Sequence, residues 1–147
     1  MAANTIPVFP KTPKVQWNAV KIDTANTAKD GTGTTSLVFT AGASGSKVDQ
    51  IKVRALGTNT ATVMRFFINN GSTPATAANN VLVHEETIAS TTLSETSKLV
   101  DNDILITKTP MDVVCPIPYL PAGYRLYVTI GTSVAAGLMV TVFGADY

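Results

Sequence analysis

Cysteine, histidine and tryptophan each occur once in the 147 residues, and charged side chains make up only 14% of the chain. Each scarcity excludes something. A lone Cys115 has no partner for an intrachain disulfide, so the core must hold the fold, as expected of a protein made in a reducing cytoplasm. With a lone His84 and no Cys-x-x-Cys or His-x-x-x-His spacing, the convergent ligands of a structural zinc site are missing. The formal net charge is +1, which leaves no basic footprint for counterion-releasing contacts to nucleic acid. No apolar run reaches the roughly 18 residues of a membrane span. Residues 1–14 also lack the basic start, apolar stretch and cleavage site of a secretory leader. A soluble, untargeted chain is expected, with neither a nucleic-acid nor a membrane partner.

Catalytic constellations are equally thin. Glu85 and Glu86 are adjacent on an expected strand and point to opposite faces, so they cannot serve one glycosidic bond together. Asp101-Asn102-Asp103 lacks the glycine and distal glutamate of a calcium loop and reads as a turn. Asp30-Gly-Thr-Gly33 precedes neither a Lys-Ser/Thr pair nor a helix N-terminus, so its glycines belong to a loop rather than a phosphate cradle. His84 and Cys115 read as a strand-surface histidine and a small buried hydrophobe, not a thiolate–imidazole pair. The expectation is no catalytic, metal or cofactor residue, and no enzyme.

What the chain has in quantity is threonine and alanine, about a quarter of its residues, with many Gly, Asn and Ser; long helix-favouring side chains are sparse. Pro7, Pro10 and Pro13 fix an extended backbone and remove donors, so residues 1–14 read as an arm and 15–147 as one β domain. The Pro-x-x-Pro spacing is too loose to prefer a groove-module ligand. The arm is expected to lie across a neighbouring subunit, with Ile6, Val8, Phe9 and nearby Trp17 as its partner-binding side chains. Alternation over 47–55 puts Ile51, Val53 and Ala55 on one face; over 61–68 it puts Met64, Phe66 and Ile68 together; these two runs read as a hairpin around Gly57-Thr-Asn59. A strand is expected over 80–88 after a surface loop at 72–79, an irregular connection over 89–103, and a closing hairpin of 124–130 with 138–143. About eight short strands without an amphipathic helix make a single-domain antiparallel β-sandwich, preferably a jelly roll.

Leu37-Val-Phe-Thr-Ala-Gly-Ala-Ser-Gly-Ser-Lys-Val48, Ile51-Lys-Val-Arg-Ala-Leu-Gly-Thr58 and Met64-Arg-Phe-Phe-Ile-Asn-Asn-Gly71 resemble small jelly-roll proteins of tailed-bacteriophage structural modules. Leu120-Pro-Ala-Gly-Tyr-Arg-Leu126 and the segment from Val140 to Tyr147 extend the likeness. The resemblance implies a capsid decoration or cement protein on the virion surface, made in the host bacterial cytoplasm, contacting the major capsid protein as a dimer or trimer. The alternative it implies is a receptor- or glycan-binding sandwich of a phage tail or fibre. It carries over no catalytic residue and no cofactor.

Overall fold

A computed structural model describes residues 9–99, 101–104 and 119–147, with side chains left undescribed over 101–104. Among the described residues nine strands follow one another: β1 (Thr12–Trp17), β2 (Ser36–Thr40), β3 (Ser46–Ala55), β4 (Thr62–Asn69), β5 (Asn80–Ile88), β6 (Asp101–Ile104), the two-residue β7 (Tyr119–Leu120), β8 (Arg125–Ile130) and β9 (Leu138–Asp146). One sheet runs β1-β9-β3-β6, with β7 also paired to β3, and the other runs β2-β8-β4-β5. With β7 set aside, the nested antiparallel pairs are β1 with β9, β2 with β8, β3 with β6 and β4 with β5, and within each sheet two of them are joined, by β3 with β9 and by β4 with β8. This nested pairing, rolled so that successive pairs fall in alternate sheets, is a jelly-roll β-sandwich, as the sequence leads one to expect.

The alternation in β3 and β8 builds the core. Ile51, Val53 and Ala55 meet Leu126, Val128 and Ile130 between the sheets, and Phe39, Met64, Phe66, Leu138, Val140 and Val142 complete one buried cluster. Interdigitated apolar faces of two sheets are what a sandwich needs.

Both expected hairpins are corrected. β3 and β4 lie in different sheets, and so do β8 and β9. Alternation tells which face of a strand is buried but not which neighbour it pairs with, and a short turn can cross between sheets as readily as it folds back. Asn59 holds one such crossing: its Nδ2 donates to Gly137 O at 2.9 Å, and its Oδ1 accepts from the Ala136 and Gly137 amides at 2.7 and 3.2 Å. Residues 101–103, read as a turn, form the strand β6, with Asp101 in register with Arg54 and Asp103 with Lys52.

β4 also departs from simple alternation. A register shift against β5 falls between Phe66 and Phe67, and Phe67, on the outer side of its sheet, is nonetheless fully buried. The loop between β1 and β2 crosses that side: Arg65 Nη1 donates to Asn26 O at 3.2 Å and Asn80 Nδ2 to Asp30 O at 3.3 Å. Its turn at Asp30-Gly31 is as the sequence suggests, with Asp30 Oδ1 accepting from the Thr32 amide and Gly31 at φ 78°.

β1 begins at Thr12, inside the segment read as arm, and pairs along one side with β9. The Asn18 amide donates to Val140 O, which sets the phase of the ladder. Lys14 and Gln16 turn their backbone groups to β9, while Pro13, Val15 and Trp17 turn theirs to the free edge. Pro13 is tolerated there because its missing N–H faces no partner strand.

Candidate partner-binding surface

β1 is polar on its inner side and apolar on its outer side. Lys14, Gln16 and Asn18 face into the sandwich, whereas Val15 and Trp17 are exposed, Trp17 at 58%. Each of these inward side chains makes at least one hydrogen bond. Asn18 Oδ1 accepts from the Val140 amide at 2.7 Å and its Nδ2 donates to Val20 O at 2.7 Å, so the chain bulges outward at an exposed Val20. Gln16 Oε1 accepts from the Thr40 amide at 2.6 Å, and Lys14 Nζ donates to Thr40 O at 2.8 Å. In β2, whose phase is set by the Ala41 amide bound to Tyr124 O, Thr40 faces the free edge. Two side chains of β1 therefore occupy the backbone edge of β2, while among the described residues no strand pairs with the edge of β1 itself at Val15 and Trp17. A covered edge resists pairing with another chain, and an open one invites it.

Between these two edge strands lies a groove of about 370 Å³ lined by Val15, Gln16, Trp17, Ala19 and Leu37 to Thr40. A second, polar-rimmed recess of about 660 Å³ at the end of the sandwich is lined by Phe9, Lys11, Ser44, Tyr119 and Tyr147.

Lys14 anchors the first groove. Its Nζ lies 3.0 Å from Asp146 Oδ2 and 5.3 Å from the centre of the Phe39 ring. Asp146 also accepts from the Ser46 hydroxyl, which in turn accepts from the Gly42 amide at 3.0 Å. Burial pushes the Asp146 carboxyl up, but the Ser46 hydroxyl and then Lys14 outweigh it and hold the carboxyl below its ordinary value. A depressed folded pKa stabilises the fold above the unfolded value of 3.8, and that contribution is lost as pH falls through the lower folded value. Asp146→Asn is expected to cost about 2 kcal/mol at pH 6, the scale of a hydrogen bond to a charged group. Urea unfolding at pH 6 and at pH 3 checks this, since the difference between the variant and the parent should shrink at the lower pH.

Of the four arm residues singled out from sequence, Ile6 and Val8 lie outside the described residues. Phe9 and Trp17 are both exposed but belong to different places, Phe9 to the end recess and Trp17 to the groove. Sequence reasoning missed Val15, Val20, Leu37 and Tyr119, which are exposed as well. Alternation of Val15 and Trp17 with the polar Lys14, Gln16 and Asn18 was the available signal that the two share a face, but by itself it would have turned that apolar face inward.

His84 is not a plain surface residue. Its ring packs against Phe66 with centroids 5.8 Å apart, and its Nε2 is buried without a hydrogen bond, 3.4 Å from Glu86 Oε2. Cys115 lies outside the described residues. Glu85 binds Arg65 Nε at 2.7 Å while Glu86 stands in register with Met64, so the two carboxylates do face apart. Among the described residues no group of three or more His, Cys, Asp or Glu side chains is placed to hold a metal ion. Comparison with protein-family models, curated proteins and solved structures gave no match.

Proposed function

We propose that this chain is a structural virion protein that decorates or cements the capsid of a tailed bacteriophage through protein–protein contacts, as a homo-oligomer seated on the major capsid protein. The observation that supports a binding role is the inverted edge strand β1, which spends its polar side chains on the interior and presents Val15 and Trp17 to the outside. Apolar side chains gathered on one edge mark contact surfaces, because exposing them to water has a cost that only a partner removes. The tailed-phage assignment draws on the strand-and-turn runs at 37–48, 51–58, 64–71 and 120–126.

Heads from a phage lacking this gene test the proposal. Purified chain added back is expected to bind them at a fixed, saturable stoichiometry and to raise the temperature at which they release DNA. Binding to tails alone, or to neither, would contradict it. The exposed indole of Trp17 beside Leu37 favours one second reading, a glycan-binding tail or fibre sandwich, since sugars stack on such rings. Specific glycan binding abolished by Trp17→Ala would favour that reading over the first.

A further inference from the structure

We propose that the open edge of β1 is completed by residues 5–8 of a second copy of this chain, added as an antiparallel strand with Ile6 opposite Trp17 and Val8 opposite Val15. The proposal deepens the partner-binding reading of β1 and does not depend on the capsid.

Three observations identify the occupant. Among the described residues, the phase of the β1 ladder leaves the backbone groups of Val15 and Trp17, two residues apart, without a partner strand at the edge. In Thr5-Ile6-Pro7-Val8, the residues able to offer N–H and C=O at that same spacing are Ile6 and Val8, and Pro7 falls between them, where a strand residue turns its nitrogen away from the partner. The pairing sets Ile6 beside Trp17 and Val8 beside Val15, apolar cross-strand neighbours of the kind that stabilise a sheet.

The same chain cannot make this pairing. Strand order in β1 already begins at Thr12, and the Lys11 amide donates to Asp146 O. A fold-back would have to turn at Phe9-Pro10, and the tight hairpin turns need positive φ at one or both of these residues, which Pro10 cannot adopt and Phe9 strongly disfavours. Even with that turn, residues 6–8 would reach only 11–13, short of Val15 and Trp17. Between copies the register is reciprocal: the arm of each lies on the edge of the other about a twofold axis, with Pro10 opposite Pro13 at the centre, where neither has a donor to lose. The two β1-β9-β3-β6 sheets then join through their β1 strands, and the groove beside Leu37 is closed.

Light scattering of the purified chain tests this first, with dimer mass expected. Ile6→Asp combined with Val8→Asp, substitutions outside the described residues, should halve that mass while leaving the far-ultraviolet dichroism unchanged. Trp17→Lys, at an exposed position, should do the same. For register, Ile6→Cys with Trp17→Cys in a Cys115→Ser background should oxidise to a covalent dimer on a non-reducing gel, because directly opposed strand residues lie about 5.5 Å apart at Cα, within disulfide reach. Ala3→Cys with Trp17→Cys, out of register, should not. A monomer, a dimer unaffected by the arm substitutions, or an intrachain disulfide would overturn the proposal. All these assays use the chain alone in solution, so their failure leaves head binding untouched, and failure to bind heads leaves the dimer untouched.

Discussion

Phe66→Ala is expected to lower the free energy of unfolding by about 3–5 kcal/mol, the range for removing a buried aromatic ring from a core. Phe66 is fully buried in β4, between β5 and β8 in its sheet, in register with His84 and Val128. Its ring fills the space between the sheets and supports the His84 ring, tilted 40° against it. The sheets cannot collapse onto the void, because each is fixed in its own ladder and their separation is held by the remaining core side chains. A domain of this size is stable by only about 5–15 kcal/mol, so the loss is a large fraction of the total. Urea unfolding measures it as a lowered midpoint at unchanged slope. Val81→Ala, at an exposed position on β5, serves as the control and should stay within about 0.5 kcal/mol of the parent.

Asn59→Ala is expected to cost about 3 kcal/mol for a different reason, since it removes no core volume. The Asn59 side chain is the hydrogen-bond partner of the Ala136 amide and of both the amide and the carbonyl of Gly137. Its own backbone exchanges hydrogen bonds with Thr91, whose hydroxyl donates to Gly57 O at 2.7 Å. One amide thus ties together the β3–β4 crossing, the β8–β9 crossing and the segment after β5. Truncation leaves buried backbone groups unpaired, each at a penalty of about 1–3 kcal/mol where water cannot replace the partner. A thermal melt should show a fall of roughly 10 °C. Asn59→Asp separates the roles: it keeps the two acceptor contacts but sets a carboxylate against Gly137 O, so it should also destabilise, and more at pH 7 than at pH 4.

The strands were legible because their side chains obey period two. Ile51, Val53 and Ala55 in β3, and Leu126, Val128 and Ile130 in β8, are buried as their alternation requires. Pairing was not legible, because the turn residues at 57–59 and 131–137 are compatible with either a hairpin or a crossing between sheets. The burial of Phe67 was not legible for another reason. A residue on the outer side of a sheet reads as solvent-facing unless one knows that the loop after β1 lies across it. At the surface, Trp17 was legible as an aromatic next to a proline-rich segment, whereas Leu37 looked like any strand hydrophobe. Its exposure follows from the bulge between Leu37 and Phe39, where β2 slips against β8, and nothing in the residue types announces that slip.

Lys14 shows how little charge can say when read alone. In sequence it is one of Lys11, Lys14, Lys21 and Lys29, set against Asp23 and Asp30 in the first thirty residues, a mild basic excess that suggests a solvated arm. In the fold it is half-buried and joins β1, the end of β2 and the end of β9 through Thr40 and Asp146. That inward use of a polar residue is what turns Val15 and Trp17 out, and so creates the surface on which the functional proposal rests.

Electron cryomicroscopy of the intact virion, with particles lacking this gene as reference, tests the role most directly. The expected difference density is a set of β-sandwiches on the outer surface of the head, over contacts between major capsid proteins. Difference density confined to the tail or its fibres, or none on the particle at all, would contradict it.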